Sequence, residues 1–301
     1  MSRRLSVISV CMLILSIIFT GACETDESAP GRGGDKKGES GSDTDTDTDT
    51  DTDSDTDTDT DTDNDTDSDS DADDECYDKI DICFVLDVST SMGFVLDRLT
   101  SEIGAVWDAA SQIDDDPSFG LVVFVDDVAL QNSGQPFAAV QDMQAAFMSV
   151  KQFTSNEKQP GGSPGMNMSC PENTLDALVD AAENYPWREG AVRIIIHATD
   201  DTFKENPDSL SGIQVRHTYQ ETLEALTSRE LRAACFAAHI GECLGGNVEA
   251  GFYKGYNGMV SIPEATGGHV FDIRQVAQGQ VSMADSIKDV IIDEYCTPYL
   301  E

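Results

Sequence analysis

Residues 43–75 hold 17 Asp and one Glu, mostly alternating with Thr or Ser, and contain no Lys or Arg. Nothing in this tract can bury apolar surface, so it cannot fold alone. Like charges on every second residue repel and extend it, and about 32 fully stretched residues reach roughly 100 Å. The tract reads as a solvated stalk. Its Asp-x-Asp alternation lacks the Gly turns and the terminal bidentate Glu of a calcium loop. The folded part of this 301-residue chain is therefore expected at residues 76–301, where composition changes at once.

The formal net charge is −39, and residues 76–301 account for 34 acids against 13 bases. A net charge of −21 on the globular part argues against nucleic acid as a partner, because phosphate binding needs a basic face. It suits solubility and the attraction of divalent cations.

Residues 1–22 read as a secretory signal peptide: Arg3 and Arg4 precede an apolar stretch from Leu5 to Thr20. The ending Thr20-Gly21-Ala22-Cys23 resembles a bacterial lipobox, with Thr20 where a Leu is usual, and implies lipidation of Cys23. The expected product is an exported lipoprotein of a bacterial cell envelope, on the outer membrane or cell surface. Plain secretion and an uncleaved membrane anchor are the alternatives, although the apolar run falls short of the roughly 20 residues a spanning helix needs. Residues 23–75 then form the lipidated N-terminus, spacer and stalk. Export places the six remaining cysteines in an oxidising compartment, where disulfides form. No CxxC pair is present, which speaks against structural zinc.

After Cys76, short apolar runs alternate with segments of helical period. Strands are expected at Ile80–Leu86, Phe119–Val125, Ala191–Ala198, Ala233–Ile240 and His269–Ile273, with a short edge strand at Val128–Leu130. Helices are expected over Phe94–Ile113, Val140–Phe153, Thr174–Asn184, Thr218–Thr227, Ile262–Thr266 and Val281–Glu294, with Thr154–Asn173 a Gly/Pro-rich loop. Continuous apolar strands alternating with helices predict an α/β fold. Its sheet is doubly wound and mostly parallel, with helices on both faces. Such sheets bind ligands beyond the carboxyl ends of their strands.

The first strand ends in Asp87-Val88-Ser89-Thr90-Ser91-Met92. Alternate residues put one carboxylate and two hydroxyls on one side of the turn, a hard oxygen cluster suited to Mg²⁺, Mn²⁺ or Ca²⁺. The plainer alternative is that Asp87 caps the following helix and the serines satisfy backbone groups.

Asp-x-Ser-x-Ser after a first strand resembles the metal-ion-dependent adhesion site of von Willebrand factor A domains. Ile194-Ile195-Ile196-His197-Ala198-Thr199-Asp200-Asp201 resembles that family's fourth strand, and Ile262 to Ile273 its last helix-turn-strand. The segment Asn167 to Leu178 resembles integrin β subunits, in which a Glu after Pro takes the place of the usual ligand Thr. The resemblance spans about residues 78–294 and implies a metal set of Asp87, Ser89, Ser91, Glu172 and Asp200. Thr174 is the alternative ligand if the loop register differs. Paired acids that support an adjacent second metal in integrin β subunits correspond here to Phe94 and Val95, so that site is expected to be absent. A third site would draw on Asn167, Pro171 and Glu172, with Ser169 at its Asp position.

The function implied is an extracellular binding module. Its cation recognises an acidic group on a protein partner, with glycan or matrix as further candidates. A metal-independent scaffold is the alternative. A magnesium-dependent phosphatase would need a second acid two residues after Asp87, where Ser89 stands. No GxSxG, HExxH or P-loop occurs, and no enzymatic activity is expected. His197 reads as a core residue or one behind the ligands, His217, His239 and His269 lack metal spacing, and Trp107 and Trp187 read as packing residues. Cys76 and Cys296 flank the domain, whose ends should lie close together, so they are expected to pair. Cys170 and Cys243, both on the metal side of the sheet, are expected to pair and pin the metal loop. Cys83 reads as a free apolar residue of a buried strand, with Cys235 left open.

Overall fold

In the computed structural model, β1 (Lys79–Asp87) is fully buried after its first residue and forms the middle of a six-stranded sheet. The other strands are β2 (Ser118–Phe124), β3 (Val128–Leu130), β4 (Ala191–Thr199), β5 (Leu231–Ala237) and β6 (Val270–Asp272). Their spatial order is β6-β5-β4-β1-β2-β3, parallel throughout except for the antiparallel edge strand β3. The description covers residues 76–167, 170–243 and 246–300, all within a unit spanning 67–301. The signal peptide, Cys23 and the Asp-rich tract lie outside the described residues. So do Ser169 and the side chain of Cys243. No helix among the described residues is long and apolar enough to cross a membrane.

Each central strand is apolar on both sides because both sides are covered. From β1, Ile80, Ile82, Phe84 and Leu86 enter one core, while Cys83 and Val85 enter the other. Helices α1 (Gly93–Ala110), α2 (Val140–Val150) and, at the C-terminus, Met283–Glu294 supply the first core. The second takes α3 (Thr174–Asn184), α4 (Tyr219–Thr227) and α5 (Ile262–Thr266); the C-terminal helix is thus α6. A capping box starts α4: Thr218 accepts from the Glu221 amide, and the Glu221 carboxylate accepts from the Thr218 amide. Gly267 ends α5 at φ 65°, and a Cβ on Gly268 would stand 2.2 Å from the Ala233 carbonyl, which accounts for the Gly-Gly pair.

The expected α/β architecture is observed, with small differences. The expected loop after α2 contains a helical turn, Phe153–Asn156, and β6 runs directly into a short helix, Ile273–Ala277. Strand β5 begins two residues earlier than its apolar run suggests, at Leu231-Arg232. Arg232 is buried there because its guanidinium pairs with the buried Glu294 carboxylate at 3.0 Å. Cys76 and Cys296 are disulfide-bonded, and Tyr77 N–H donates to the Tyr295 carbonyl beside them. Cys83 and Cys235 are buried free thiols. Cys170 is disulfide-bonded.

The sheet order positions the site. From β1 the chain turns to α1 on one face, whereas from β4 it continues to α4 on the other. Strands β1 and β4 are neighbours, so their diverging exits open a crevice at their carboxyl ends.

Candidate metal centre

Asp87 is the last residue of β1 and is fully buried. One carboxylate oxygen accepts from the Ser89 amide at 2.7 Å, closing an Asx turn, and the other accepts from the Thr199 hydroxyl at 2.7 Å. The turn projects Ser89 and Ser91 side by side, with their hydroxyl oxygens 3.2 Å apart. The Ser91 hydroxyl donates to Asp200 Oδ1 at 2.7 Å, which ties the exit of β1 to the exit of β4. Neither Ser89 nor Met92 makes a side-chain cap at the start of the helical segments that follow.

Glu172 comes from the loop before α3. Its amide donates to the Thr202 carbonyl at 2.9 Å, and it bridges to Phe203 in a parallel pairing. The side chain is 1 % exposed, and its Oε2 has no hydrogen-bond partner. Ser89, Ser91, Glu172 and Asp200 line one cavity of about 310 Å³, together with Thr90, Asn167, Cys170 and Asp201. Thr174, the alternative ligand, is also buried with an unpartnered hydroxyl, but it does not line this cavity. Phe94 and Val95 pack into the core, and no acid stands at those two positions.

Asp201 is the residue that the sequence reading passed over. Carboxylate oxygens of Asp87, Asp200 and Asp201 lie within 4.8 Å of one another. The Asp201 amide donates to the Thr199 hydroxyl oxygen at 3.2 Å, the same hydroxyl that donates to Asp87. The signal was present in the consecutive pair Asp200-Asp201.

Among the described residues, no Lys, Arg or His lines the cavity. Burial, reinforced by the Asp200 charge, pushes the Asp87 carboxyl up to about 7. Burial and the charges of Asp87 and Asp200 push Asp201 up to about 8. For Glu172, burial and then the charges of Asp87, Asp201, Asp126 and Asp200 push it up to about 12. Two ionised carboxylates about 5 Å apart repel by roughly 3 kcal/mol at an effective dielectric of about 20. Three such groups line the cavity and Asp87 stands within reach of two of them, a charge density that calls for protons or a cation. The donors are all oxygen, the carboxylates have no basic partner, and one buried oxygen is orphaned. That combination fits a hard divalent cation.

The histidines lie outside this cluster. His197 is fully buried between the rings of Phe124 and Phe252, and His217 and His269 pair with Asp176 and Glu294. His239 sits 3.2 Å from Glu249. Trp107 stacks on Phe119, and Trp187 meets Tyr185 edge-on.

Residues 74–219 match the family model described as integrin beta-like protein A-E, vWA-like. No curated protein matches the sequence. Among solved structures, proximal thread matrix protein 1 from the mussel byssus is similar at 16 % identity and TM-score 0.44, covering 75 % of this chain and 48 % of that one. A structure of the same mussel protein with a zinc-occupied MIDAS motif aligns at 15 % identity and TM-score 0.44, over 72 % of this chain and 46 % of that one. An aerotolerance-related membrane protein from Bacteroides fragilis aligns at 14 % identity and TM-score 0.41, covering 72 % of this chain and 98 % of that one. The chain thus spans just under half the length of the mussel protein.

Proposed function

We propose that this chain, whose residues 74–219 match a vWA-like family model, is a von Willebrand factor A-type, metal-dependent binding module of adhesion type. The observation that carries this reading is the meeting of Asp87, Asp200 and Asp201 carboxylates beside Ser91, at a cavity that no basic side chain lines among the described residues. Asp87, Ser89, Ser91, Glu172 and Asp200 would hold the ion, and Thr199 orients Asp87 from behind. A bound divalent cation supplies Lewis acidity toward one further oxygen donor. In the finer reading that donor is a carboxylate on a protein partner, presented outside the cell.

The residues of the chain contribute geometry. The Asx turn fixes Asp87 relative to Ser89, and the Ser91–Asp200 hydrogen bond joins the two strand exits into one wall of the site. Binding is favoured over catalysis because Ser89 stands where an acid–base partner of Asp87 would be needed. Lipidation of Cys23, as the sequence implies, would tether the chain to a cell envelope.

The test is calorimetric titration of the purified chain with CaCl₂, MgCl₂ and MnCl₂, followed by capture from a surface extract with and without EDTA. Asp87→Ala should abolish the saturable high-affinity metal term and the capture, while circular dichroism stays that of the parent. Capture that persists in EDTA and in Asp87→Ala would instead support a metal-independent scaffold.

A further inference from the structure

We infer that Asp201 belongs to the ligand sphere and sets the choice of ion, making this a calcium site rather than a magnesium site. The inference rests on the metal-binding reading above and goes further by assigning a residue and an ion.

Three observations lead to it. Asp201 brings a carboxylate oxygen within 4.8 Å of those of both Asp87 and Asp200, a spacing that one ion can bridge. Its backbone is anchored to the Thr199 hydroxyl, which also holds Asp87, so the two acids are positioned by one group. No Lys, Arg or His pairs with Asp201 among the described residues, and Asp201 Oδ1 lies 3.2 Å from Cys170 Sγ, which offers no neutralising charge. Glu172 adds an independent sign of a missing ligand, because this residue lines the same cavity and its buried Oε2 has no hydrogen-bond partner.

Counting Asp201, the cluster offers the carboxylates of Asp87, Glu172, Asp200 and Asp201 and the hydroxyls of Ser89 and Ser91, six side chains before any backbone or water oxygen; all but Asp87 line the cavity, and Asp87 meets it through Asp200 and Asp201. Ca²⁺ accepts about six to eight oxygens at about 2.3–2.6 Å, and its affinity rises with the number of charged ligands. Mg²⁺ demands a near-ideal octahedron at about 2.0–2.1 Å and gives up its waters reluctantly. Four carboxylates from three separate chain segments suit the larger, more tolerant ion. Removing one charge without changing side-chain size should therefore weaken calcium far more than magnesium.

The experiment is calorimetry of the full chain with CaCl₂ and with MgCl₂. The site term is defined as the part that Asp87→Ala removes, so that binding to the Asp-rich tract is subtracted. Asp201→Asn and Asp201→Ser are compared with Asp208→Asn, which deletes an exposed carboxylate paired with Lys204. The expected result is a parent preference for Ca²⁺. Asp201→Asn should lose roughly tenfold or more in Ca²⁺ affinity and less than about threefold in Mg²⁺ affinity. Asp208→Asn should leave both unchanged. A parent that prefers Mg²⁺, or a calcium-to-magnesium ratio unchanged in both Asp201 variants, overturns the assignment and leaves the metal site standing. A chain with no term removable by Asp87→Ala overturns both. Circular dichroism establishes folding, and Asp201→Ser decides if the Asn variant does not fold.

Discussion

His197 lies near the carboxyl end of β4 with no exposed surface, and neither ring nitrogen has a partner among the described residues. Burial alone pushes its imidazole down to about 3. The unfolded chain binds a proton at this residue near pH 6.5, while the folded chain resists until about 3. The neutral ring therefore favours the fold fully above pH 6.5, and that contribution is lost as pH falls toward 3. Replacing His197 with Leu should remove about one proton from the acid dependence of stability in that window. Urea midpoints of parent and variant at a series of pH values would show it, and parallel curves would contradict it. The sequence already placed His197 among apolar neighbours. The stacking on Phe124 and Phe252 arises from segments 73 and 55 residues away, and no local pattern announces it.

At the scale of elements, the strands were legible because a sheet covered on both faces needs unbroken apolar runs, and this chain has few of them. The five-residue helix Ile273–Ala277 was not, since five residues scarcely establish a period. A stronger omission is the clasp at the N-terminal ends of the strands. The Arg188 guanidinium meets fully buried Asp81 at 2.6 Å and Asp114 at 2.7 Å, and also donates to the Ile80 and Asp116 carbonyls. It joins β1, the loop before β2 and the entry to β4. Charged residues near strand ends look alike in sequence, whether solvated or paired. Arg188→Met should destabilise the chain by about 3–5 kcal/mol, because Asp81 is left buried and unpaired. A urea midpoint close to that of the parent would show that water or Arg193 replaces it.

For the whole molecule, the Cys76–Cys296 disulfide closes a loop with a sequence separation of 220. It lies with the start of β1, opposite the end that carries Asp87. Substituting both cysteines with Ser should lower stability by about 3–5 kcal/mol. It should leave the metal isotherm unchanged at temperatures where the fold persists, because no side chain of the cavity is touched. Loss of metal binding from a folded double-Ser variant would show that the two ends are coupled.

Local chemistry determined much of this protein. Apolar runs specified strands, Gly267-Gly268 ended α5, and Asp87-x-Ser-x-Ser placed one carboxylate and two hydroxyls on a turn. These depend on neighbours a few residues apart, which any chain displays openly. The tertiary structure decided which distant acids joined them. Pairing of Leu86 with Ala198 brings the exits of β1 and β4 together, and only then do Asp200 and Asp201 meet Asp87. It likewise brought Glu172 into the cavity and left Thr174 outside it. A carboxylate's role depends on the charges and donors around it, and in this crevice those come from three segments, around Asp87, Glu172 and Asp200, that local sequence does not connect.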